Sequence, residues 1–121
     1  MTTQAASLLE RVTALHDAIA RGEIVEALHE YYAENVEMQE GLQPPTVGLA
    51  ANLEREQAWL ATVAEFKNFE VKSLAVEGDT TFAETVLDYV DTDGNAIHGE
   101  QVARARWKDG KIVHERFYGA S

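Results

Sequence analysis

Near its carboxyl end the chain reads Gln101-Val-Ala-Arg-Ala-Arg-Trp-Lys-Asp-Gly-Lys-Ile-Val-His-Glu-Arg-Phe-Tyr-Gly119. Two runs rich in strand-forming residues flank Asp109-Gly110, the strongest short-range signal for a β-hairpin. A two-residue loop there sets a register in which Arg104 lies opposite Glu115, and directly opposed residues share a face. A β-bulge would exchange the faces beyond it. One face of the predicted hairpin therefore holds Val102, Arg104, Arg106, Val113, Glu115 and Phe117.

The sequence before the hairpin predicts helices followed by strands. Apolar residues at helical spacing, from Leu8 to Ile19, predict a first helix that stops near Gly22. A second short helix, a strand over residues 35–41 and a third helix over residues 48–63 follow. Four strands are predicted over residues 70–76, 81–90, 97–108 and 111–118. Helices that precede an antiparallel meander indicate an α+β fold, in a single domain over residues 1–121.

The composition limits the partners that the protein can have. Its 121 residues include 10 basic and 21 acidic side chains, for a formal net charge of −11. A surface this acidic repels phosphate backbones and anionic lipids, so we expect neither nucleic acid nor a membrane as a partner. The chain has no cysteine, no basic-then-apolar leader and no apolar run long enough to span a bilayer. A cytoplasmic location is therefore expected.

Two segments carry a resemblance to a known family, Tyr32-Ala-Glu-Asn-Val-Glu-Met-Gln-Glu-Gly41 and Trp107-Lys-Asp-Gly-Lys-Ile-Val-His-Glu-Arg-Phe-Tyr118. With the order of the elements, they resemble the cone-shaped fold shared by nuclear transport factor two, the ketosteroid isomerases and the SnoaL-like polyketide cyclases. The resemblance covers nearly the whole chain. It implies three N-terminal helices on a curved, mainly antiparallel sheet, a ligand pocket between them and a homodimer. It implies no metal and no organic cofactor.

The first segment supplies a candidate general base, Glu40. This residue ends the predicted strand on the same face as Met38. The resemblance places it where the ketosteroid isomerases carry the aspartate that shuttles the proton. A carboxyl group in an apolar cavity has a raised pKa, which suits acid–base chemistry near neutral pH. The alternative is an ordinary surface acid that leads into the loop at Gly41.

The closing hairpin supplies a second candidate, the pair formed by Arg104 and Glu115. The resemblance places Glu115 and Phe117 at pocket-facing positions. An adjacent arginine lowers the pKa of a carboxyl group, which makes the pair a weak base but a good anchor for a polar group of the ligand. The alternative is a solvated ion pair between strands, worth ~0–1 kcal/mol and without function.

Further candidates come from the histidines and from the apolar residues. His16, on the first helix, neighbours a pocket position and is kept as an acid–base candidate. None of the histidines has metal-ligand spacing. Side chains expected to line the ligand pocket are Tyr32, Met38, Trp59, Phe66, Phe82, Val102 and Phe117.

Two proton donors of the ketosteroid isomerases have no counterpart in this sequence. Leu15 stands at about the position of the tyrosine, and Val102 at about that of the protonated aspartate. An enolate would lack its main stabilisation without them, so steroid isomerisation is not expected. We expect a small-molecule-binding protein. It is either a cofactor-free isomerase, cyclase, dehydratase or hydrolase acting on a small apolar substrate, or a non-catalytic ligand-binding or dimerisation module. Recruitment of a basic protein partner is a third hypothesis.

Overall fold

The computed structural model describes the backbone of residues 4–120 and the side chains of residues 8–119. Three helices and six strands lie in this range. The helices are α1 (Gln4–Ala20), α2 (Ile24–Tyr31) and α3 (Leu49–Leu60). The strands are β1 (Tyr32–Glu40), β2 (Thr46–Val47), β3 (Val63–Glu77), β4 (Thr80–Asp91), β5 (Ala96–Lys108) and β6 (Lys111–Ala120). None of the helices described has both the length and the apolar character needed to cross a bilayer.

All six strands belong to one sheet, in the order β2-β1-β6-β5-β4-β3. Strand β1 runs parallel to β6, and every other neighbouring pair is antiparallel. The three helices pack on this curved sheet, and α1 and α2 precede every strand. The predicted α+β architecture is confirmed. The single domain predicted over residues 1–121 also includes residues 1–3 and 121, which lie outside the described range.

The strands differ from the predicted ones at three places: β1 begins at Tyr32 rather than at residue 35, β3 begins early, and β2 is not predicted at all. Strand β3 begins at Val63, before the predicted start at residue 70, and Phe66 and Phe69 follow Val63 within this strand at intervals of three. Bulges in β3 between residues 63 and 65 and between residues 66 and 68 explain this spacing, because each bulge shifts the alternation by one residue. Strand β2 has only two residues, too few to give a periodic signal.

The closing hairpin forms at the predicted turn but with a different register beyond it. Asp109 and Gly110 both have positive φ, 53° and 78°, as a type I′ turn requires. Trp107 pairs with Ile112 as expected, but the next pair is Arg106 with His114, so β6 holds one extra residue at Val113.

This bulge exchanges the faces that the sequence predicts for the outer part of β6. Arg104 lies opposite Arg116, and Glu115 lies opposite Ala105. The predicted Arg104–Glu115 pair is therefore wrong: Glu115 points into the core, and Arg104 lies on the opposite face of the sheet. Phe82 is paired with Arg104 and lies on that outer face, as does Val102. Their expected places in the pocket wall are also wrong.

The hydrophobic core fills the hairpin end of the concave sheet face, under α1 and α2. Val36 and Ile112 are fully buried there. Trp107 is also buried and donates its indole N–H to Thr81 Oγ1 at 3.0 Å, which gives the buried indole its hydrogen-bond partner. The core thins toward the other end of β4 and β5, where the facing residues are only half-buried. This leaves room for a cavity.

Candidate functional site

A cavity of about 310 Å³ lies between the concave face of the sheet and the three helices. It continues into an outer chamber of about 560 Å³, and the two share Trp59, Phe69 and Phe117 in their walls. The cavity wall includes these residues predicted from the sequence: His16, Tyr32, Met38, Glu40, Trp59, Phe66, Glu115 and Phe117. It does not include Arg104, Phe82 or Val102. The parts that the lining residues play in binding or catalysis stay predictions.

The most unusual group in this wall is the carboxyl group of Glu115. Its side chain is buried, and Tyr32, also buried, donates its hydroxyl proton to Glu115 Oε1 at 2.6 Å. Burial raises the pKa of Glu115 to about 7, against the opposing effect of the Tyr32 hydrogen bond. Nearby Glu56 raises this pKa further. Glu115 is thus able both to give and to accept a proton near neutral pH, which is the opposite of the low pKa expected for an arginine-paired acid.

Local backbone geometry brings these two side chains together. Helix α2 ends at Tyr31, and Tyr32 takes an extended conformation that starts β1 without a loop. The bulge at Val113 in β6 turns Glu115 toward the same side of the sheet. Strands β1 and β6 are neighbours, so the two residues meet across the parallel pair.

A second polar cluster lies on α3 and is centred on Arg55. Its guanidinium is 3.6 Å from Glu40 Oε1 and 3.5 Å from Glu56 Oε1. Burial raises the pKa of the Glu56 carboxyl, and Arg55 opposes that rise. Glu40 lies at the rim with its side chain 56 % exposed, so the apolar surroundings expected for it are wrong. Its role as a base stays a prediction.

Arg55 and Glu56 were not singled out from the sequence, although a signal for Glu56 was present. The run Glu54-Arg-Glu56 reads as a solvated helix face. Yet Glu56 falls three residues after Leu53 and four before Leu60, on the apolar stripe of α3. An acid on such a stripe is a candidate for a buried, functional carboxyl group.

His16 lies in the wall on α1 and is 8 % exposed. Its ring centre is 6.0 Å from that of Phe69, and Nδ1 has no hydrogen-bond partner among the described residues. Burial lowers the pKa of His16 to about 4, against the opposing charge of Asp17. The imidazole is therefore neutral near pH 7. In that state it can donate or accept a hydrogen bond but cannot act as an acid of ordinary histidine strength.

Comparison with protein families settles the relationship that the fold and cavity suggest. Residues 12–115 match the SnoaL-like domain family. The chain belongs to this family. No curated protein matches this SnoaL-like domain significantly.

Solved structures with the same fold come from several bacteria. A provisionally named SnoaL-like polyketide cyclase from Mesorhizobium loti is 23 % identical, with a TM-score of 0.80 and coverage of 98 % of this SnoaL-like domain and 99 % of that chain. Another from Jannaschia sp. CCS1 is 15 % identical, with a TM-score of 0.83 and coverage of 98 % and 88 %. A protein with a ketosteroid isomerase-like fold from Catenulispora acidiphila, in complex with trimethylamine, is 16 % identical, with a TM-score of 0.77 and coverage of 92 % and 85 %.

The titratable groups of the SnoaL-like domain define what its cavity can do chemically. Within the described part of the chain, no cluster of three or more histidine and acidic side chains is arranged to hold a metal ion. The expectation of no metal and no organic cofactor stays a prediction. The wall holds a buried acid poised near neutral pH, a neutral imidazole and one arginine flanked by two acids. These groups suit proton transfer and binding of an uncharged ligand.

Proposed function

We propose that this SnoaL-like domain is a cofactor-free enzyme that transfers a proton within a small, largely apolar organic ligand. Glu115 is the proton-transferring group. The observation that carries the proposal is its burial in the cavity wall, with a pKa of about 7 and one oxygen held by Tyr32. General acid–base catalysis is most effective when the pKa of the group lies near the working pH, and typically contributes ~10²–10⁴-fold.

The neighbouring residues have separable roles in this proposal. Tyr32 fixes Glu115 Oε1, so Oε2 is the oxygen available to the ligand. Arg55, rather than Arg104, anchors a polar group at the mouth, and Glu40 is a second candidate base beside it. Trp59, Phe66 and Phe117 give the cavity its shape. Isomerisation, cyclisation and dehydration all need such a proton transfer, and the two neighbours named as SnoaL-like polyketide cyclases support this class.

Deuterium exchange into carbon acids tests this role without knowledge of the natural substrate. Wild-type protein is incubated in deuterated buffer with a panel of small cyclic ketones, and exchange next to the carbonyl is followed by NMR. We expect at least one ketone to exchange faster with the protein than without it. Glu115→Gln should lower that rate by about 100-fold or more. Glu34→Gln, an exposed acid on β1 outside the cavity wall, is the matched control and should match wild type. Equal rates in Glu115→Gln and wild type would falsify the role of Glu115.

A non-catalytic ligand-binding module is the second candidate function. Leu15 lines the cavity and Val102 lies on the outer face, so neither position offers the donor that an enolate needs. In this case ketones or related compounds raise the melting temperature of the protein, but the exchange rate does not rise above that of buffer for any of them. The same panel therefore separates the two functions.

We also infer a homodimer formed through the outer face of the sheet. Phe82, Val102 and Tyr118 are exposed there to an extent unusual for large apolar residues, at 36–40 %. A cytoplasmic location, and the exclusion of nucleic acid and membranes as partners, stay predictions from the composition.

A further inference from the structure

We propose that His16 forms a hydrogen bond with a hydroxyl or carbonyl group of the ligand, on the side of the cavity opposite Glu115. The ligand is then an uncharged ring compound with two separated polar groups. This inference rests on the proposed function, because it concerns the ligand of the same cavity.

The first support is the environment of His16 itself. It is more than nine-tenths buried, it lines the cavity, and its Nδ1 has no partner among the described residues. A buried polar atom without a partner destabilises a fold, and an apolar side chain would fill this position on α1 without that penalty. Leu15 and Ile19, which flank it in the wall, are such side chains. Nδ1 itself is closed off from the cavity, so a ligand reaches the imidazole through its other ring nitrogen, and that bond offsets part of the cost of burying the ring.

The second support is where His16 lies relative to Glu115. The His16 ring packs toward Phe69 on β3, whereas Glu115 lies on β6. Three strand spacings separate β6 from β3 in the sheet, about 14 Å measured along its surface, and curvature shortens the path through the cavity. The wall between them is largely apolar, with Leu87 and Ala103 from the two intervening strands. One ligand can therefore form hydrogen bonds with both His16 and Glu115 only if it carries two separated polar groups.

The third support is the charge of the cavity. Glu40, Glu56 and the partly ionised Glu115 line it against the single cation of Arg55. A ligand carboxylate would be repelled by this excess of acids, whereas hydroxyl and ketone groups would not. Thr85 and Gln101 also reach the wall and can add hydrogen bonds along the way, but they lie between the two ends rather than at either of them.

Calorimetric titration tests the inference with three uncharged probes: naphthalene, its monohydroxy derivative, and the dihydroxy derivative with the hydroxyls at opposite ends. Wild-type protein should bind the dihydroxy compound about 5- to 10-fold more tightly than the monohydroxy compound, as one added hydrogen bond predicts. In His16→Phe that advantage should fall below about 2-fold, because phenylalanine fills the site but offers no hydrogen bond. His16→Asn should recover part of it. His29→Phe, at an exposed histidine on α2, should behave as wild type.

The outcomes separate this inference from the proposed function, since calorimetry requires no turnover. If His16→Phe keeps the wild-type advantage, if wild type has none, or if no probe binds, the inference is overturned whatever the exchange assay shows. If the advantage depends on His16 but Glu115→Gln exchanges deuterium at the wild-type rate, the inference stands and the proposed catalytic role of Glu115 fails.

Discussion

Glu115 is a carboxyl group held in apolar surroundings by a tyrosine rather than by a cation. The Tyr32 hydrogen bond favours the ionised form, but burial outweighs it, and the result is a raised pKa. The same physics keeps His16 neutral on the other side of the cavity, where burial lowers the pKa of the imidazole. Near neutral pH the Glu115 carboxyl is therefore only partly ionised and the His16 imidazole is uncharged, which limits the desolvation free energy of burying them.

The raised pKa of Glu115 makes stability depend on pH in a predictable direction. The pKa of this carboxyl rises from 4.5 to about 7 on folding, so the unfolded chain loses the proton first as the pH rises. The contribution of this carboxyl to the free energy of unfolding is therefore fully present below about pH 4.5, and it is lost as the pH rises through about 7. Glu115→Gln removes this titration while keeping an acceptor for Tyr32.

Urea unfolding of wild type and Glu115→Gln, at several pH values between about 4 and 8, measures the effect. Between the lowest and the highest pH, the free energy of unfolding of the variant should rise by up to about 3 kcal/mol relative to that of wild type. Glu34→Gln, at an exposed site, serves as the control and should run parallel to wild type. Parallel curves for Glu115→Gln would show that the carboxyl keeps its ordinary pKa on folding.

At the scale of the elements, the sequence predicts the long strands and the turn of the hairpin but not where the strands bulge. The Asp109-Gly110 turn determines the register only as far as Trp107 and Ile112. Beyond them β6 holds one extra residue, and no local pattern in the sequence marks Val113 as that residue. A shift of one residue moves a side chain to the other face. Because of this one-residue shift, Glu115 is a buried acid and not the partner of Arg104 that the sequence predicts.

The close approach of β5 and β6 beside the outer chamber makes a prediction for Gly119. A Cβ at this position would lie 2.5 Å from the backbone oxygen of Glu100 and 2.8 Å from the Cα of Gln101, so the strands would have to move apart. Gly119→Ala should therefore destabilise the fold by about 1–3 kcal/mol in urea unfolding. Gly99→Ala is the matched control, because it lies on β5 with no atom within 4 Å of its Cβ position. Equal stability of the two variants would show that the strands yield at no cost.

At the scale of the whole molecule, the order and type of the long elements are predictable, because amphipathic helices and alternating strands each give a periodic pattern of apolar residues in the sequence. The composition of the site was only partly predictable. Tyr32 and Glu115 were both expected in the pocket, but their contact joins residues 83 positions apart. Arg55 was missed because its charge looks like that of any solvated helix face. Contacts between distant elements depend on the curvature of the sheet, which no local pattern encodes.

The outer face of the sheet divides by charge in a way that suits a two-fold homodimer. Arg104, Arg106 and Arg116 lie on β5 and β6 near the hairpin end, whereas Asp88 on β4 and Glu100 on β5 lie toward the other end of the sheet, where they hold His98 between them. Exposed Val102 and Tyr118 pair with each other between the two groups, and Glu84 lies opposite Val102 on β4. A two-fold axis through this centre would place the basic half of one copy over the acidic half of the other. Such self-complementarity is what an isologous interface requires.

Size-exclusion chromatography with light scattering measures this association directly. Wild type should elute as a dimer, and Arg104→Glu should raise the dissociation constant by about 10-fold or more at low salt, because it places an acid opposite the acidic half. Arg21→Glu makes the same charge change at the exposed end of α1, away from the sheet face, and should leave the dimer intact. Added salt should narrow the difference between Arg104→Glu and wild type, since screening weakens repulsion and attraction alike. A wild-type monomer at all concentrations, or a dimer that Arg104→Glu leaves unchanged, would mean that the exposed apolar centre serves some other contact.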